Sequence, residues 1–149
     1  MSTLLKSKFT IDRENVGLAL TDLQAWNEAW PSRTAPYQDI KDAKTLIDAV
    51  HYIGFDLVED RFGNIAAIQQ HDNDVDADWY ETAMSSMTDW IDSGSYMLFI
   101  GDEEDFYCWR WQKVYGEGKF QCYSGGVVVF PDQVEQLTEK FAQILRTYE

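Results

Sequence analysis

Between Phe62 and Trp109 the chain holds no lysine and no arginine. Eleven carboxylates occupy the same stretch: Asp72, Asp74, Asp76, Asp78, Glu81, Asp89, Asp92, Asp102, Glu103, Glu104 and Asp105. They supply 11 of the formal net charge of −14. A folded surface of that sign repels nucleic acid and membranes, and it attracts basic partners and speeds their association. Other absences narrow the field further. No apolar run approaches the roughly 18 residues needed to cross a bilayer. The first ten residues carry two lysines but neither an apolar core nor a small-residue cleavage pattern, so they do not read as a secretion signal and a cytoplasmic protein is expected. There is no GxGxxG, P-loop, HExxH or GxSxG pattern. With two histidines and neither beside a recognisable nucleophile, no set of catalytic roles assembles, and an enzyme is not expected.

Cysteine is also scarce. Cys108 and Cys122 are too few for a disulfide framework at 149 residues, and no CxxC or Cys/His cluster points to zinc. Buried, reduced thiols are the expectation. The two flank a hairpin near Gly116 and Gly118; a turn centred near Tyr115 sets them face to face, whereas one centred on Glu117 pairs Gln112 with Cys122. No cofactor motif is present, and no metal site is assigned.

What the chain has in quantity is apolar and aromatic bulk, 45% hydrophobic and 15% aromatic residues. Disordered acidic chains lack this content. Residues 1–149 therefore read as a single folded domain with its excess charge outside. Leu4 to Ile11 reads as a strand ending at Asp12, a helix cap. Val16, Leu20, Leu23 and Trp26 then recur at helical spacing. Trp30 to Gln38, with two of the three prolines, reads as a loop. Ala43, Leu46, Ile47 and Val50 form one face of a short helix stopped at Gly54. Phe55–Glu59 and Ile65–Gln70 read as a hairpin joined around Gly63-Asn64. Tyr80, Ala83, Met84, Met87 and Ile91 mark a third helix beginning near Asp76 or Asp78, whose acids suit its N-terminal end.

After Gly94 the period becomes two. Tyr96–Ile100, Phe106–Tyr115 and Phe120–Phe130 read as consecutive antiparallel strands. Pro131 suits the first turn of a last helix carrying Val134, Leu137, Phe141, Ile144, Leu145 and Tyr148. The expected fold class is α+β: a mainly antiparallel sheet of about five to six strands with about four packed helices. In the strand around Trp109, Tyr107, Trp109, Trp111 and Tyr115 face one way and Phe106, Cys108, Arg110 and Val114 the other. Bulk on both sides predicts a central strand with its tryptophans in the core. An exposed tryptophan ladder would instead be an interface or a stacking platform, and no basic groove accompanies it.

Asp72, Asp74, Asp76 and Asp78 alternate along the chain and, if extended, present carboxylates about 6.6 Å apart on one side. Regular negative charge of this kind resembles a phosphate backbone, and can occupy the basic cleft of a nucleic-acid-binding protein. The competing reading is a solvated acidic loop. Calcium fits poorly: with Asp72 first in an EF-hand loop, Ala77 replaces the required glycine and Ala83 the bidentate glutamate. Asp102-Glu103-Glu104-Asp105 reads as a strand-to-strand tip, either a guard against edge pairing or a second docking element. Asp72, Asp74, Asp76, Asp78, Glu81 and Asp102 to Asp105 are thus the candidate partner-binding residues, and the expected partner is a basic protein. His51 follows the apolar face of its helix and reads as structural, while the acids next to His71 favour its protonated form. The alternative function is a small enzyme or ligand-binding domain whose pocket is lined by Trp109, Trp111 and a few acids.

The pattern Gly94-Ser95-Tyr96, Ile100-Gly101-Asp102-Glu103 and Phe106-Tyr107-Cys108-Trp109-Arg110-Trp111, preceded by Glu59 to Ile65, resembles small acidic bacterial and mobile-element proteins of unassigned function. The resemblance covers the middle of the chain. It implies a bacterial or phage origin and brings no activity or site residues with it.

Overall fold

The computed structural model describes residues 2–29, 36–72, 77–101, 106–114 and 117–124, the last of these segments as backbone. The fold is α+β, with antiparallel strand pairing throughout the described ladders. In chain order the elements are β1 (Ser2–Lys8), α1 (Arg13–Ala29), α2 (Tyr37–Asp42), α3 (Leu46–His51), β2 (Phe55–Glu59), β3 (Ile65–Gln70), α4 (Ala77–Ser85), β4 (Tyr96–Gly101), β5 (Phe106–Val114) and β6 (Glu117–Ser124). The expected last helix lies outside the described residues. No described helix is long and apolar enough to cross a membrane.

The strands divide between two sheets, β1-β4-β5-β6 and β2-β3, where the sequence suggested one. The reason is visible at their junction. β1 shifts register between Leu4 and Lys6. The side-chain amide of Gln70 on β3 then takes the place of a ladder, accepting from the Leu4 N–H at 2.8 Å and donating to the Ser2 carbonyl at 2.9 Å. Beyond β1, Ile11 and Ile65 exchange two backbone hydrogen bonds at 3.1 and 2.9 Å. Two sheets are stitched by side chains and one isolated bridge.

β5 lies between β4 and β6, and its described side chains are buried on both faces: Phe106, Cys108 and Arg110 on one, Trp109 and Trp111 on the other. Direct pairing of Met97 with Trp109 places Met97, Phe99, Trp109 and Trp111 on the inner face. There Trp109 meets Phe99 (ring centroids 4.7 Å apart) and Tyr80 of α4 (5.5 Å), and Phe55 of β2 packs edge-on against Tyr80 at 5.4 Å. This aromatic group links both sheets to α4. The expected apolar stripe on α4 is all interior: Tyr80, Ala83, Met84, Met87 and Ile91 are buried, although the helix ends at Ser85 and turns carry the last two inward. The register sets Cys122 opposite Trp109, and Cys108 opposite Tyr123. The two cysteines are therefore not a facing pair, and Cys108 is buried.

α1 begins as expected: the Asp12 carboxylate accepts from the Glu14 N–H at 3.3 Å and its carbonyl from the Asn15 N–H at 2.8 Å. α2 was not expected, and it starts at Tyr37 inside the predicted loop. One buried apolar residue, Ile40, gives it no readable period. Tertiary hydrogen bonds hold it instead: Asn27 Nδ2 donates to the Tyr37 carbonyl at 3.0 Å, and Gln24 Nε2 reaches the Ile40 and Ala43 carbonyls.

The β2–β3 hairpin closes through Asp60. Its carboxylate accepts from the backbone N–H groups of Phe62 (2.8 Å) and Asn64 (3.0 Å) and from Asn64 Nδ2 (3.1 Å), and Gly63 takes a φ of +87° that suits glycine. Desolvation pushes the Asp60 carboxyl upward, but the hydrogen bonds from Asn64, Phe62 and Gly63 outweigh it and hold it below the ordinary 3.8. A lowered carboxylate stabilises the fold fully above its unfolded value, and the benefit disappears as pH falls through the folded one. Asp60→Asn is therefore expected to destabilise the protein at neutral pH, with the difference from wild type shrinking in strong acid. Urea denaturation at a series of pH values measures this; a difference constant with pH would contradict the role.

Candidate functional site

Three side chains from three elements converge at one end of the β2–β3 hairpin. His51 is the last residue of α3, Asp56 the second of β2, and His71 the first after β3. Asp56 pairs with Gln69, so His71 is its diagonal neighbour on the same sheet face. Gly54 makes the turn that returns His51 to this face: its φ of +119° lies where side-chain-bearing residues are strained. Its carbonyl accepts from the His71 N–H at 3.0 Å and the Asp72 N–H at 3.3 Å, which fixes the start of the following segment.

The Asp56 carboxylate is divided between the histidines. Oδ1 lies 2.9 Å from His51 Nδ1, and Oδ2 lies 3.0 Å from His71 Nδ1. The imidazole rings stack with centroids 4.4 Å apart and planes 27° from parallel. The hydrogen bond from His51 is the main cause holding the Asp56 carboxyl below its ordinary 3.8; partial desolvation opposes it, and His71 adds to it. All three side chains reach solvent, with 56%, 44% and 33% exposure for His51, Asp56 and His71. Two nitrogen donors and a carboxylate in one accessible group can hold a proton, a metal ion or a polar ligand.

Sequence reasoning treated His51 as structural and did not mark Asp56 at all. A signal was present. Aspartate is disfavoured within strands, and the two histidines of the chain stand just outside the two ends of one predicted hairpin. Pairing that hairpin brings all three together.

A second polar feature lies at the turn end of the hairpin, an open cleft of about 380 Å³ bordered by Thr10, Asp12, Asp60, Asn64 and Asp92. Its lining contains three carboxylates and no lysine or arginine. The acids are held in place: Asp92 Oδ2 accepts from the Thr10 hydroxyl at 2.7 Å, and Asn64 Oδ1 accepts from the Arg13 N–H at 2.9 Å while its amide donates to Asp60.

Of the partner-binding candidates, Asp72 is half-buried directly after His71, and Glu81 is half-buried on α4. Asp74, Asp76, Asp102, Glu103, Glu104 and Asp105 lie outside the described residues, as does the side chain of Asp78. Trp109 and Trp111, offered as walls of a ligand pocket, are fully interior at 0% and 1% exposure. No protein-family model, curated protein or solved structure matches the chain.

Proposed function

We propose that this chain is a non-enzymatic acidic protein that binds and blocks a basic, nucleic-acid-binding partner in the cytoplasm of a bacterial or infected cell. Phage anti-defence proteins that imitate DNA, and immunity proteins that neutralise nuclease toxins, work in this way. The supporting observation is the lack of compensation on the surface. Among the described residues, Asp12, Glu14, Asp39, Asp42, Asp48, Glu59, Asp60, Asp89 and Asp92 all lie outside ion-pair distance of any lysine or arginine. Lys41 and Glu28 do pair, at 3.8 Å and with both side chains about half exposed. Carboxylates left without internal cations keep their field for an external one. The row from Asp72 to Asp78, Glu81 and the group from Asp102 to Asp105 supply the contact charges in this reading.

The test is affinity capture from a bacterial lysate at low salt, followed by competition with duplex DNA. A basic nucleic-acid-binding protein is expected, released by DNA and by moderate salt, since exposed charges are screened beyond roughly 10 Å at 0.1 M. Reversing Asp72, Asp74, Asp76 and Asp78 to lysine should abolish capture and leave the circular-dichroism spectrum unchanged. Capture that survives the reversal, or that DNA does not displace, refutes the proposal.

A further inference from the structure

We infer that His51, Asp56 and His71 form a binding site for one divalent first-row transition-metal ion of the zinc, cobalt or nickel type. The inference stands apart from the acidic-partner reading and uses none of its residues. Donor chemistry sets the class of ion. Imidazole nitrogen suits zinc, cobalt, nickel and copper, whereas calcium and magnesium take oxygen ligands almost exclusively. Two imidazoles and one carboxylate leave at least one position open for water or for a donor from another molecule, as in sites with three protein ligands.

Geometry supports the assignment. Donors sharing one ion at about 2.1 Å stand about 3.0 Å apart at a right angle and about 3.4 Å apart in a tetrahedron. Both histidine Nδ1 atoms lie 2.9 to 3.0 Å from an oxygen of the same carboxylate, and the candidate donor atoms all lie within 4.8 Å of one another. The stacked rings turn both Nδ1 atoms toward Asp56. Seating an ion requires these solvent-accessible side chains to rotate so that the stacked rings turn apart and both Nδ1 lone pairs converge beside the carboxylate. The fold has also pre-arranged the donors. A helix end, a strand and the first residue after its partner strand are tied by the Gly54 turn and by the His71 N–H bond to the Gly54 carbonyl. Preset donors lose less conformational freedom on binding than donors on a free loop.

The competing account makes the same trio a hydrogen-bonded clip that holds α3 to the hairpin. The two accounts differ in what cobalt does. The full chain without a histidine tag is titrated with Co²⁺ near neutral pH, and the visible absorption bands are followed. One saturable equivalent, displaced by Zn²⁺, is expected. His51→Gln or His71→Gln should each weaken binding at least about tenfold, the order seen when metal-site residues are altered. The double variant should lose the bands, while Asp92→Asn should keep them. A long-range proton–nitrogen spectrum of the wild-type histidines with Zn²⁺ needs no variant, and it should show both Nδ1 signals shifted. Absence of a saturable cobalt spectrum overturns the inference. So does binding that persists in the double variant, or zinc that leaves both Nδ1 signals unmoved, because the ion then sits adventitiously on acidic groups elsewhere.

Discussion

Trp109→Ala is expected to cost about 3–5 kcal/mol of folding stability, the range for deleting a fully interior large aromatic. Trp109 is 0% exposed and sits where the central strand, β4 and α4 meet, against Phe99 and Tyr80. The loss has two parts: apolar area returned to water in the unfolded reference, and a void that Phe99, Met97 and Tyr80 cannot close without leaving their rotamers. A domain of this size has roughly 5–15 kcal/mol in total. The variant should therefore unfold at far lower urea, or be partly unfolded without it. Trp109→Phe keeps one ring and should lose much less. Urea titration followed by far-ultraviolet circular dichroism gives the numbers. A loss below about 1 kcal/mol for the alanine variant would mean that this side chain is not a main contact between the four-stranded sheet and α4.

The elements that could be read from the chain are those whose burial follows one period. The stripe from Tyr80 to Ile91, the hairpin around Gly63-Asn64 and the two-sided burial of β5 are each a direct projection of apolar spacing onto geometry. Where a tertiary hydrogen bond decides, spacing is silent. α2 is held because Gln24 and Asn27 satisfy its carbonyls, and the two sheets are joined by the Gln70 amide, the Ser7 hydroxyl and the Ile11–Ile65 bridge. The sequence left the β5–β6 register open between a turn near Tyr115 and one on Glu117, and the ladder takes neither. The ladder pairs Val114 with Glu117, so Cys122 falls opposite Trp109 and not Cys108. The His51–Asp56–His71 group needed three facts at once: hairpin register, the end of α3 and the Gly54 turn. Each was visible in the sequence, but only pairing makes them one site. The acids behaved differently. Their number is a property of composition, whereas the distance of Asp12, Glu14, Asp39, Asp42, Asp48, Glu59, Asp60, Asp89 and Asp92 from any lysine or arginine is a property of the fold.

Tyr80→Phe should raise stability by about 1–3 kcal/mol, the desolvation penalty for an interior polar group that has no partner. Tyr80 is 0% exposed, and its hydroxyl oxygen has no hydrogen-bond partner among the described residues. The ring itself is well placed, edge-on to Phe55 at 5.4 Å and stacked 6.1 Å from Phe99. Phenylalanine keeps those contacts and removes only the oxygen. At about 2–4 °C per kcal/mol for a chain of this length, the melting temperature should climb by several degrees. Thermal unfolding of Tyr80→Phe beside Tyr80→Leu separates the two contributions: the first tests the hydroxyl, and the second, expected to destabilise, tests the ring. A Tyr80→Phe variant that melts lower than wild type would require a partner for the oxygen between α4 and the sheets. That contact would then be polar, and the aromatic group joining the two sheets would not be a purely apolar joint.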